Sequence, residues 1–223
     1  MINLTKSQPP PASLAHQKQL LSGTYRQQDV YDRLRTDFHD KCYLCEYKST
    51  SINIEHFKPH KGVDRDLEFD WDNLFLACGH CNLSKGAKYD TILDCTNPSH
   101  RILDWIHFKG DPFPKSGVVI KNINDTHNPL INNTVELLNL VYEGNTPGKK
   151  IESEMIKDAL CEELCNFLIT LTSFYKSGRS ASEKESLRTE IRRFLSPETI
   201  FTAFKRWVIK DNARMLKDFG DLL

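Results

Sequence analysis

Seven cysteines occur in the 223 residues, and four of them stand in two tight pairs, Cys42/Cys45 and Cys78/Cys81. An odd total with Cys-x-x-Cys spacing argues against a secreted disulfide framework and for metal ligation in a reducing compartment. Four thiolates suit tetrahedral zinc at Zn–S distances of ~2.3 Å and leave no open position, so a Zn²⁺ here reads as structural. The 32 residues between the pairs exceed the interval of a simple zinc ribbon, so the ion would staple the base of a large inserted loop. Within that loop lies Ile54-Glu55-His56-Phe57-Lys58-Pro59-His60. His56 and His60 have the spacing of a helical zinc pair, but Pro59 removes a backbone donor and biases Lys58 away from the α region. A strand ending at His56 fits better. Imidazole, with an ordinary pKa of ~6.5, can take a proton from water, which makes His56 the candidate general base. Lys58, His60, Lys61 and Lys85 are cations able to meet phosphate, and a solvated surface explains each of them equally well. His80 lies between two thiols that already complete a shell and stays outside the site.

These groups must be positioned by local elements. The Pro9-Pro10-Pro11 run predicts an extended arm, followed by a short helical piece over 12–21. Val30, Leu34 and Phe38 repeat at helical spacing and predict a helix over 26–39 that delivers the chain to Cys42. Ile52-Asn53-Ile54 and Leu74-Phe75-Leu76 read as two strands, joined by a polar loop over 57–72 whose acids serve solvation. A short helix is expected over 80–88. Past Asp94 a loop-rich connector with Pro98, Pro112, Pro114 and Pro129 is expected, and helices follow. One is predicted through Tyr142 from an Asn133/Glu136 capping box. A long one carries Ile156, Leu160, Leu164, Phe167, Leu168, Leu171 and Phe174 on one stripe. Another is capped by Ser180 and Glu183, and a last one opens at Ser196-Pro197 and presents Arg206, Lys210, Arg214 and Lys217 along a solvated side.

Lys and Arg number 30 against 30 Asp and Glu, a formal net charge of zero. That balance excludes a generally basic nucleic-acid coat. Hydrophobic residues make up 39% and charged residues 27%, a soluble composition with no run approaching a membrane span. The first residues, Met1 to Lys6, lack an apolar segment, so a cytoplasmic location is expected.

The loop residues resemble the HNH endonuclease family. Glu55-His56, then Asn73-Leu74, then Cys78-x-x-Cys81-Asn82-x-x-Lys85-Gly86 occur in the family's order, and the paired cysteines match its zinc-stapled branch. Over about residues 1–95 the chain is most similar to the PtuB-type HNH subunits of Septu and retron-associated anti-phage systems. The resemblance implies a zinc-stapled ββα-metal module, which with the arm and first helix fills 1–95; with the connector and helical bundle that the apolar spacing predicts over 96–223, the chain is expected to be α+β. It implies that Glu55 and Asn82 hold a Mg²⁺ or Mn²⁺ ion, that Asn73 ties the loop and orients His56, and that hydrolysis leaves 5′-phosphate and 3′-hydroxyl ends. Lys58, His60 and Lys85 become nucleic-acid contacts. DNA is the expected substrate, with RNA second, and a PtuA-like ATPase subunit is the expected partner. Two positions depart from the common pattern: Glu55 stands where many relatives have Asp, and Asn82 where the family's name places His.

A zinc-stapled module that binds nucleic acid or a partner without cutting is the competing reading. It predicts that Glu55, His56 and Asn82 are dispensable while the cysteines are not. In a third reading the helical half docks on the ATPase and keeps the nuclease silent. Zero net charge then has a use: the divalent cation supplies local positive charge, and weak intrinsic nucleic-acid affinity makes substrate capture depend on a partner.

Overall fold

A computed structural model describes residues 1–124 and 127–223. Its first helices are α1 (Ala12–Gln19) and α2 (Gln28–Asp37). α2 buries Val30 and Leu34, followed by Phe38, as the i, i+4, i+8 spacing requires. The arm ahead of α1 is a stitch across the module. Leu4 N–H donates to the Cys95 carbonyl at 2.8 Å. Lys6, which burial lowers to about 8, donates to the Trp71 and Leu74 carbonyls, and the Trp71 indole donates back to Ser7 O at 3.1 Å.

β1 (Ile52–His56) and β2 (Leu74–Cys78) pair antiparallel, with Glu55 opposite Phe75 and His56 opposite Leu74. β2 is buried at every position. The segment between them is more ordered than a solvated loop. It folds α3 (Arg65–Phe69) and a 3₁₀ turn over 71–73, because two of its acids are caps: Asp64 accepts from Leu67 N–H and Asp70 from Asp72 N–H. α4 (Gly79–Lys85) follows β2 directly, with Cys78 as N-cap and Gly86 closing it at φ +49°. The mixed helix and strand content fits an α+β chain, with α2 leading into a ββα unit.

The connector departs from expectation. After α5 (Ile102–Trp105) it forms a hairpin of β3 (Ile106–Gly110) and β4 (Val118–Asn122). Ile106, Phe108, Val118 and Ile120 point inward in strict alternation, and Pro112 and Pro114 lie in the turn between the strands, where no ladder bond is lost. α6 (Pro129–Glu143) begins before the expected capping box: Asn128 is the N-cap and Pro129 takes the first helical position. Asn133 instead donates to Thr91 O, and Glu136 accepts from Lys88 and Tyr89.

α7 (Pro147–Tyr175) buries most of the predicted stripe, and α8 (Ala181–Leu195) starts at a complete Ser180/Glu183 capping box. The last helix is two, α9 (Thr202–Lys210) and α10 (Ala213–Phe219). Residues 196–201 form a turn ending in Phe201 at φ +52°, and Asn212 caps a fresh start by accepting from Arg214 and Met215 N–H. The expected basic side is therefore broken up: Arg206 donates to Leu195 O, Lys210 to Leu103 O, and Arg214 lies over the Tyr175 ring.

One core runs from Met1 to Trp207 across both halves, and a smaller one joins Phe167, Leu171, Ile191, Phe194, Leu195, Ile209 and Phe219. Residues flanking the first cysteine pair reach the C-terminal turn: Lys41 donates to the Pro197 and Thr199 carbonyls, and Glu46 accepts from Ala203 N–H. Among the described residues no helix is long and apolar enough to cross a membrane.

Candidate active site

The four cysteines of the two pairs converge. Their Sγ atoms all lie within 4.8 Å of one another and every one is buried. Cys45 and Cys78 are 3.9 Å apart, close to the ~3.8 Å edge of a tetrahedron with Zn–S of ~2.3 Å. The cluster is able to hold zinc. It joins the turn after α2 to the β2–α4 corner, where Cys78 Sγ also accepts from Cys81 N–H at 3.5 Å. His80 turns away, as expected: its ring nitrogens reach Glu152 Oε2 at 2.9 Å and Val141 O at 2.8 Å, docking α4 on the helical half.

On the other side of the same corner is a cavity of about 300 Å³. Glu55, His56, His60, Lys61, Asn82 and Lys85 all line it, so the end of β1, the loop and α4 bring together groups up to 30 residues apart in the chain. His56 is half-buried, and its Nε2 lies 2.9 Å from the Glu68 carbonyl. A carbonyl only accepts, so Nε2 carries the proton and Nδ1 keeps its lone pair. Burial lowers the His56 pKa below the ordinary histidine value, which favours the neutral, proton-accepting ring.

Glu55 is 6% exposed. Its Oε1 is paired with Lys85 Nζ at 2.8 Å, and its Oε2 is buried with no hydrogen bond within 3.5 Å among the described residues; the buried Tyr43 hydroxyl, equally unpaired, is the neighbouring polar group. Burial pushes the carboxyl up to about 7 in spite of the Lys85 charge. Asn82 is half-buried, and no described residue hydrogen-bonds its side chain. A divalent cation of the kind the family resemblance implies fits the chemistry of this donor set: a carboxylate with one unpaired oxygen, and an amide oxygen, from two residues that line the same cavity, both hard ligands. Lys85 departs from expectation. It is 1% exposed and committed to Glu55 and to the His56 carbonyl at 3.2 Å, so it is not a surface group waiting for phosphate.

Asn73 lies outside the cavity and binds backbone only. Its Oδ1 accepts from Lys58 N–H at 2.7 Å, and its Nδ2 donates to the Lys58 and Leu67 carbonyls at 3.0 and 2.9 Å. Leu67 adjoins Glu68, whose carbonyl holds His56, so the amide fixes the segment that fixes the ring. Lys58 is exposed and away from the cavity lining; His60 packs 4.3 Å from the His56 ring. Two residues escaped the sequence reading, Tyr25 and Arg26, both in the cavity wall. The Tyr25 ring meets His56 edge-on at 4.5 Å, and Arg26 Nε donates to the Tyr25 hydroxyl at 3.3 Å. An aromatic-basic pair beside a predicted helix start was the signal available, but nothing in the chain order linked it to His56.

Residues 42–88 match the family model for HNH endonuclease. The Septu protein PtuB of Bacillus mycoides (strain KBAB4) is 31% identical in an alignment over 88 residues, covering 33% of this chain and 30% of that protein. The chain thus spans under a third of the curated relative it matches. No solved structure matches it.

Proposed function

We propose, from the premise that residues 42–88 are an HNH endonuclease domain of the PtuB type, that this chain is a metal-dependent nuclease of an anti-phage defence system. The observation that carries the reading is His56, held through Nε2–H by the Glu68 carbonyl with Nδ1 free, in one cavity lined also by Glu55 and Asn82.

In the proposed reaction His56 Nδ1 takes a proton from water as its oxygen attacks phosphorus. The P–O bond to the 3′ oxygen breaks, and that oxygen leaves protonated by solvent. Glu55 and Asn82 would hold Mg²⁺ or Mn²⁺, which would supply positive charge to the reacting phosphate and the leaving oxygen. Asn73 is a positioning residue acting through residues 58 and 67. Lys58 and His60 serve as outer phosphate contacts. Zinc in the cysteine cluster is structural and sets where Asn82 lands, one residue beyond Cys81. DNA is the leading substrate, and the proposed partner is a PtuA-like ATPase, docked through the helical half in the cytoplasm.

The test is cutting of plasmid and of total RNA with Mg²⁺ or Mn²⁺, with and without the co-encoded ATPase. Wild type is expected to cut and His56→Ala to be inactive. Equal cutting by both removes His56 from the mechanism, and cutting by neither under any condition returns the module to a binding role.

A further inference from the structure

Beside the candidate active cavity lies a second one, of about 230 Å³, lined by Arg26, Gln27, Gln28, Tyr31 and the Ile52–Ile54 stretch of β1. Arg26 and Ile54 belong to both linings, so the two form one groove that turns around Arg26. Among the described residues β1 pairs only with β2. The Phe57 N–H bond to Asn73 O sets the parity of the ladder: residues 53, 55 and 57 direct their backbone groups at β2, and Ile52 and Ile54 direct theirs into this groove.

The charge of the groove differs from that of the chain. Its linings contain Arg26, Lys61 and Lys85 and a single carboxylate, Glu55. Lys85 is matched by Glu55; among the described residues Arg26 has no carboxylate partner. Its guanidinium lies 5.4 Å from the Tyr25 ring centre, with the fork that pairs with phosphate exposed at the junction. Beyond it stand a half-buried aromatic, Tyr31, and the amides of Gln27 and exposed Asn53. Gln28 is already held by Asp32 at 2.8 Å. Gln27 Nε2 likewise donates to Thr24 O at 3.2 Å, which leaves its amide oxygen. A cation at the entrance, a ring, the free Asn53 amide and the Gln27 oxygen within a space below the ~300 Å³ of ordinary ligand pockets match one nucleotide, not a base pair.

We propose that this second cavity is a nucleotide subsite: it receives the nucleotide next to the bond being cut, Arg26 holds the phosphate at the junction, and Gln27 and Asn53 read the base edge. The subsite rests on the nuclease reading above and adds to it a single-strand path and a source of cleavage preference.

Binding of a fluorescent single-stranded oligonucleotide to the full chain, in EDTA and across a salt series, separates the two. His56→Ala is expected to bind like wild type. Arg26→Gln is expected to bind roughly tenfold more weakly and to lose about 0.7 from the slope of log affinity on log salt, one phosphate's worth on a single strand. In the metal-loaded chain, Asn53→Ala is expected to change the nucleotide preference found by sequencing the cut ends. Both residues are exposed, and unchanged melting curves check that the variants fold. Wild-type affinity and slope in Arg26→Gln, with wild-type ends from Asn53→Ala, overturn the subsite even if His56→Ala no longer cuts. A wild-type chain that neither binds nor cuts, with the ATPase as well as without it, removes the nuclease reading, and the subsite with it.

Discussion

The β1–β2–α4 corner carries a cysteine cluster able to hold zinc and, beside it, the cavity proposed to take a divalent cation, and the two differ in how completely the protein satisfies them. The cysteine cluster is closed: four identical donors, all buried, converge on one point. The cavity behind it is open and built from unlike groups. It has a carboxylate with one oxygen paired and one orphaned, a free amide, and a half-buried imidazole with one nitrogen tied. A closed donor set gains stability from its ion, whereas an open one keeps positions for water and phosphate. Glu55 Oε2 is one of three buried side-chain oxygens of this domain without a hydrogen-bond partner among the described residues, with those of Tyr43 and Ser84.

Variants should break the two centres differently. Cys42→Ser or Cys78→Ser is expected to have the largest effect, loss of the single zinc per chain together with cooperative folding, since a structural zinc is worth about 10 kcal/mol or more. Elemental analysis and a thermal melt check it, and zinc-free protein that folds normally would sink the structural assignment. His56→Ala is expected to cut at least ~10²-fold more slowly while keeping zinc and melting temperature, which shows that the open centre fails alone.

Lys85→Met sharpens the comparison from the other side. It leaves Glu55 buried without its partner, so the metal-free chain should lose about 3 kcal/mol, measured by denaturant unfolding. Added Mn²⁺ should restore more stability to this variant than to wild type, because the cation then has no competitor for Glu55; equal restoration would mean that the ion does not bind there. The smallest effects concern pH. Glu55 titrates near 7 in the metal-free chain and is a ligand only when ionised, so Mn²⁺ affinity is expected to rise as pH rises through about 7. His56, lowered by burial, must lose its proton to act as base, so the acid limb of the rate profile should fall below the ordinary histidine value of ~6.5. An acid limb inflecting above 7 would count against His56 as the base.

Much of this was legible in the chain order. Helical spacing located α2 and α7, and the Ser180/Glu183 box located the start of α8. Alternation over Ile106-x-Phe108 and Val118-x-Ile120 also announced a hairpin, but the prolines around it drew the reading toward loop. The Asn133/Glu136 pair has the letters of a capping box and makes other bonds, since Asn128-Pro129 is a stronger start five residues upstream. Asp64 and Asp70 looked like solvated acids because a cap is recognised only when the turn it closes is known.

Sequence by itself determined the donors: the paired thiols, the acid-His step, and Asn82 next to a cysteine, since ligand type and local spacing are written in the chain. Tertiary structure decided their states. The Glu68 carbonyl fixes which nitrogen of His56 is free, burial puts Lys85 against Glu55 instead of in solvent, and the turn between α1 and α2 brings Tyr25 and Arg26 to the cavity wall. Those depend on contacts between segments distant in the chain and on exclusion of water, neither of which any local pattern of residues encodes.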